Sequence, residues 1–276
     1  MAMQETVIEA NRSERHYWSD VWKFRELLWI LAQRDVMVRY KQTLLGVAWS
    51  FVRPTLTTVV FVFTFSKIAK LPPEPNTPPA ILVMTGVLLW MFFSGSLAAV
   101  SSSIVNNTNL VSKVYFPRLI IPLSSAVVGL IDFAVGCLLL VPLYLWYQFL
   151  PNWQIVFAPF FLLLAALAAF SFGLILAALH VKYRDVAQLT PFLIQFGYYA
   201  CPVGYSTRVI ENQWWYPIYN LNPIVGIIDG FRWCLLGGNA PFRMASFIPS
   251  ISIILVATLI AVVFFRKREN AFVDYI

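Results

Sequence analysis

Few residues in this chain have the type and spacing for chemistry, and the most conspicuous is Asp132, the one carboxylate inside a long apolar stretch. An acid at the middle of a membrane helix costs roughly 2.5 to 3.5 kcal/mol on the insertion scale, so something must offset it. Either Asp132 lines a hydrated path, or it bonds to a Ser, Thr or Tyr of a neighbouring helix. No second charge lies within an apolar stretch to build a proton relay, so the expected service is polarity rather than proton coupling. The two histidines, His16 and His180, are too few for a relay or a histidine metal site. Cys137, Cys201 and Cys234 lie far apart without C-x-x-C spacing, which suggests neither a disulfide framework nor zinc. The sequence has no G-x-x-x-x-G-K-[ST] phosphate loop, no H-E-x-x-H, no G-x-S-x-G and no D-x-D pair. An enzyme is therefore not expected, no metal ligands are assigned, and ATP binding by a P-loop is excluded for this chain.

The elements that must hold these residues follow from composition. Of 276 residues, 59% are hydrophobic and 12% charged, and the mean hydropathy is +0.72. Soluble domains carry about 25% charged residues, and disordered chains lack apolar surface, so both classes are excluded. Six stretches have the roughly 20 apolar residues that a bilayer core requires: 47–67, 80–105, 119–149, 155–180, 187–207 and 244–265. The third is long enough to bend at Pro122 or Pro142. Alternating strand-length patterns are missing, against an outer-membrane barrel. Residues 1–20 are polar and mixed in charge, so the first apolar segment is expected to be retained rather than cleaved as a signal. Six crossings put fifteen of the twenty basic residues on one side, which places both ends of the chain in the cytoplasm by the positive-inside rule. The net charge of +7 is then a consequence of topology and calls for no nucleic-acid partner.

The expected fold is an all-α polytopic membrane protein with a cytoplasmic amino-terminal segment over 1–43 and a six-span transmembrane domain over 44–276. Residues 17–42 repeat apolar positions at Val21, Phe24, Leu28 and Leu31, add Trp18, Trp22 and Trp29, and carry Arg34 and Arg39 on a basic face. They read as an interfacial amphipathic helix against membrane lipid, with an Asp35–Arg39 i,i+4 pair. Between spans two and three, NNTNLVSKVYFPR (106–118) predicts a short helix capped by Thr108 or Asn109 and stopped by Pro117. Its Leu110, Val111, Val114, Tyr115 and Phe116 are expected to form an exposed apolar knob seeking a groove. Residues 70–79 (KLPPEPNTPP) make a proline-rich outer turn, and 208–243 contain an apolar run too short to span, expected to be re-entrant. Ala165, Ala169, Gly173 and Ala177 form a small-residue stripe for close helix packing, and Gly226 and Gly230 repeat its spacing. Phe196, Tyr198 and Tyr199 on the fifth span and Trp214, Trp215 and Tyr219 outside it offer flat faces that suit sugar rings without tight bonds.

Four blocks, RYKQTLLGVAWSFVRP (39–54), NLVSKVYFPR (109–118), YRDVAQLTPF (183–192) and NLNPIVGIIDGFRW (220–233), together with the order of spans, resemble the membrane subunit of type 2 ABC exporters for lipid-linked polysaccharides, especially O-antigen exporters. The resemblance implies a permease in the cytoplasmic (inner) membrane, homodimeric, bound to two copies of a separate ABC ATPase that carries the ATP and Mg. This chain itself is expected to bind no cofactor. It further implies that Asn109, Leu110, Lys113, Tyr115 and Phe116, with Arg184 and Asp185, couple to that ATPase. The re-entrant outer segment would form a gate above a channel, for which Asp132, Phe196, Tyr198, Tyr199, Trp214, Trp215, Tyr219, Asp229 and Arg232 are the candidates. Teichoic acid or capsular polysaccharide is an alternative cargo. A membrane glycosyltransferase and an ion-coupled transporter are competing classes, disfavoured by the absent acidic metal pair and by the solitary Asp132.

Overall fold

In lipid a backbone has no water to bond, so apolar segments of this length satisfy their own N–H and C=O groups as helices. The computed structural model describes residues 17–41, 48–269 and 271–272, and among them every regular element is helical. In chain order these are α1 (Tyr17–Lys23), α2 (Arg25–Lys41), α3 (Ala48–Phe61), α4 (Pro79–Asn106), α5 (Thr108–Lys113), α6 (Ile120–Cys137), α7 (Leu140–Trp146), α8 (Ala158–Lys182), α9 (Val186–Tyr199), α10 (Tyr216–Tyr219), α11 (Pro223–Leu235) and α12 (Met244–Glu269). The expected boundary at 43–44 lies outside the described residues.

Among the described residues five helices are long and apolar enough to cross a membrane: Ala48–Ile68, Pro79–Asn106, Ile120–Trp146, Trp153–Lys182 and Met244–Glu269. The stretch expected at 187–207 differs. Its helix, α9, has 14 residues, about 21 Å at 1.5 Å per residue, and so falls short of the hydrocarbon thickness. Pro202 disfavours helical backbone at Cys201, and the chain from Cys201 to Ser206 is irregular. Thr190 nonetheless lies against Ser101 of α4, Tyr198 against Trp90 and Val203 beside Gly86. The chain from Val186 to Val203 therefore runs antiparallel to α4 through much of its length.

The bend in the third span falls where Pro142 dictates. Proline cannot donate to the carbonyl four residues back, at Leu138, and α6 gives way to α7 between Cys137 and Leu140. Pro122 sits in the first turn of α6, where its missing N–H costs nothing, and no bend is centred there.

α4 is the axis of the bundle, buried along nearly its whole length and packed against α6, α8, α9 and α11. The small-residue stripe of α8 makes its closest approach possible: Ala165, Ala169 and Ala177 are buried, and a Cβ on Gly173 would stand 2.8 Å from the Val100 side chain. By contrast α3 and α12 turn most of their apolar surface outward. Tyr17 Oη donates to Glu269 Oε2 at 2.9 Å, so the first and last described helices meet at one end of the bundle. Burial and the Glu269 carboxylate hold the Tyr17 phenol above its ordinary range.

At the far end α11 is enclosed on every side by α4, α8 and α12. Asn222 starts it, its side-chain oxygen accepting from Ile224 N at 3.1 Å, with Pro223 in the first turn. Its two glycines are sites of contact rather than flexibility: a Cβ on Gly226 would strike the Ser246 carbonyl of α12, and one on Gly230 would enter the Phe161 ring of α8. Gly230→Ala is expected to lower stability by about 1–3 kcal/mol through overpacking. Thermal unfolding in detergent checks this, and adding Phe161→Leu should recover part of the loss.

Candidate functional site

Four places in the bundle hold the residues that the sequence singles out. The first is the end carrying Tyr17 and Glu269. α4 stops at Asn106 and α5 follows at once, its N-cap being Asn107 rather than Thr108 or Asn109, with no side-chain cap bond. Asn109, Lys113, Val114 and Tyr115 are exposed, and Leu110 is half-buried. The expected knob needs one correction. Phe116 is only 5% exposed and Val111 4%; both turn inward onto Leu119, Ile120 and Leu31, leaving Tyr115, 68% exposed, as the outward aromatic. The chain leaves α5 through an extended residue, Val114, and the two aromatics after it end in opposite surroundings, one in solvent and one in the core. Arg184 and Asp185 lie exposed in the turn between α8 and α9, at the same end.

The second place is the junction of α2 with α6. α1 and α2 present Val21, Phe24, Leu28 and Leu31 inward, as the spacing predicts, while Trp18, Trp22 and Trp29 face outward with Arg25 stacked on Trp22. One expectation fails here. Asp35 pairs with Arg34 at 2.7 Å, and Arg39 instead reaches Asp132 Oδ2 at 2.7 Å. The Tyr40 hydroxyl donates to Asp132 Oδ1 and lies beside Ser50 of α3. Asp132 thus has a second charge and a phenol as partners, both from α2, where the apolar stretches alone offered none. α2 packs along α6, and its end reaches Asp132, twelve positions past the first residue of that helix.

The third place is an open groove of about 460 Å³ between α4 and α9, walled by Trp90, Met91, Ala98, Pro191, Ile194 and Tyr198 with Ser94, Thr190 and Gln195 as its polar groups. Tyr198 stacks on Phe61 of α3 with centroids 5.2 Å apart and meets the edge of Tyr199 at 5.8 Å. Phe196 and Tyr199 are exposed on α9. Beyond the groove, Trp214 is exposed, while Trp215 packs on Tyr219. Tyr219 is half-buried, its hydroxyl bonded to that of Tyr205 at 2.9 Å.

The fourth place corrects two residues expected at a channel. Asp229 and Arg232 are each 2% exposed. Thr207 donates to Asp229 at 2.6 Å and Ser246 at 3.4 Å. Arg232 donates to three carbonyls, Tyr205 at 2.8 Å, Val203 at 2.9 Å and Leu82 at 3.3 Å. Close by, Arg243 pairs with Glu74 at 3.1 Å and with Glu211, and Ser206 donates to Glu74. All three acidic residues of the far end, Glu74, Glu211 and Asp229, are drawn into this node. Glu74 and Arg243 carry no motif and sit 169 positions apart; the available signal was a lone acid in a proline-rich turn and a lone base just before an apolar helix.

An all-helical bundle whose long apolar helices turn much of their surface outward is a multi-pass membrane protein. The chain belongs to the ABC-2 type transporter family, whose pattern it matches over residues 26–236. It is 30% identical over 214 residues, 77% of this chain and 81% of the relative, to the O-antigen export system permease protein RfbA of Myxococcus xanthus. Two proteins of that same description from Klebsiella pneumoniae are 25% and 24% identical, each over 90% of this chain and 94% of the relative.

Proposed function

We propose that this chain is the permease subunit of an ATP-driven exporter that carries lipid-linked O-antigen across the cytoplasmic membrane. The observation that carries the reading is its likeness to O-antigen export permeases along 77% to 90% of its length. In this reading the end bearing Tyr17 and Glu269 faces the cytoplasm, with most of the basic residues. α9 with the irregular chain after it makes the sixth crossing, which the antiparallel course along α4 supports, and α11 is the re-entrant helix. α5 with Lys113, Val114 and Tyr115, flanked by Arg184 and Asp185, docks in a cleft of a separate ABC ATPase, two of which drive a permease homodimer. α1 and α2 set Trp18 and Trp22 against the lipid interface.

The groove beside Trp90 and Tyr198 suits a sliding polymer, because aromatic faces give contact area without fixed hydrogen bonds. Phe196, Tyr199, Trp214 and Trp215 extend such faces along the path, while Asp229, Arg232 and Tyr219 hold its wall. The test is a deletion strain and its complementation. Loss of the gene should leave completed lipid-linked glycan on the cytoplasmic leaflet and remove it from the cell surface, and the affinity-tagged chain should co-purify an ABC ATPase. Normal surface glycan in the deletion strain would overturn the reading.

A further inference from the structure

α2 touches both ends of a gap that any such exporter must bridge, between the ATPase-facing end and the interior of the bundle. At one contact Arg34 Nη2 donates to Asn107 Oδ1 at 2.7 Å, and Asn107 is the N-cap of α5. At the other, five residues on, Arg39 and Tyr40 hold Asp132, with Tyr40 also beside Ser50 near the start of α3. Just before the first contact Leu31 and Ala32 are buried, Leu31 in one apolar cluster with Val111 and Phe116 of the α5 region. An exposed polar contact such as Arg34–Asn107 is worth little alone, so the packed cluster must bear the load at that end. The Asp132 contact has two members: Arg39 and Tyr40 both reach one carboxylate of α6 that is only partly exposed, its side chain 23% and that of Arg39 47%, so α2 grips α6 there through an ion pair and a hydrogen bond together.

We propose that α2 is a transmission rod: displacement of α5 moves α2, and Arg39 and Tyr40 carry that motion through Asp132 to α6 and the start of α3. Arg39, Tyr40 and Asp132 are positioning residues, and cargo does not touch them. The inference rests on the exporter reading above.

Its test uses the complete complex with its ATPase in proteoliposomes, measuring ATP hydrolysis and glycan translocation side by side. Arg39→Asp and Asp132→Arg are each expected to leave hydrolysis within about twofold of wild type while cutting translocation about tenfold or more, and the double exchange should restore most of the translocation. Single variants that lose hydrolysis and translocation in proportion, or a double exchange no better than either single, would overturn the rod. Tyr40→Phe, which keeps the volume and removes only the donor, gives the same reading should the charge variants fail to assemble: glycan moved per ATP should fall severalfold, and an unchanged ratio overturns the proposal. A wild-type complex that hydrolyses ATP and moves no glycan would instead sink the exporter reading, a different outcome from any of these.

Discussion

Tyr115→Asp is expected to abolish export and leave a folded, membrane-inserted subunit, whereas Phe116→Asp, one position away, is expected to cost the protein its fold at that end. The two side chains sit in opposite surroundings, Tyr115 68% exposed and Phe116 5%. Tyr115 stands in solvent, so a carboxylate there meets water and costs nothing until an apolar groove closes on it, when an uncompensated charge is desolvated at a price of several kcal/mol. Phe116 lies among Leu31, Leu119 and Ile120. Removing a ring from such a cluster costs about 3–5 kcal/mol before any charge is counted, and the carboxylate adds the penalty of an unpaired buried ion. The measurements are surface glycan in cells, yield and melting temperature of the purified subunit, and co-purification of the ATPase. Tyr115→Asp should lose glycan and ATPase binding at unchanged melting temperature. Phe116→Asp should lose yield and melting temperature first, and Phe116→Leu, which keeps apolar volume, should recover most of both.

That contrast also shows what was legible in the sequence. Five of the six span positions, the break near Pro142, the α8 stripe and the inward face of α1 and α2 follow from local rules of length, proline chemistry and helical period, and the structure has each of these where those rules allow it. Phe116 was misplaced because an apolar run outside a span reads as one patch, and only the folded chain splits it into an inner and an outer side. The stretch at 187–207 read as a uniform helix because hydropathy does not register Pro202 as strongly as the backbone does. Asp132 looked solitary for a different reason. Its cation lies 93 positions earlier in a helix assigned to the surface, and the pairing appears only when α2 is laid along α6. The far-end node is the extreme case, since Glu74, Tyr205, Asp229, Arg232 and Arg243 come from four separate segments and no periodicity links them.

The node explains why Arg232 should be the least replaceable side chain of the far end. Val203 and Tyr205 belong to irregular chain, whose carbonyls have no helical partner, and burying them unbonded costs about 1–3 kcal/mol each. Arg232 meets both with one planar group while a third donor reaches Leu82 of α4, which fastens the end of the α9 strand of chain to the bundle axis. The fit is close: a Cβ on Gly86 would come within 2.7 Å of the Arg232 Nη2, so α4 offers a glycine where the guanidinium passes. Arg232→Met should therefore destabilise the subunit by about 3–5 kcal/mol, the range for breaking one side of a buried charged network, and open residues 200–222 to proteolysis. Arg232→Lys should recover less than half, because one ammonium cannot address three carbonyls that a fork spans. Asp229→Asn keeps the oxygen that accepts from Thr207 and should cost less than either. A melting temperature for Arg232→Met equal to that of the wild type, with segment 200–222 still protected, would mean that the brace is held by Glu74 and Arg243 and not by Arg232.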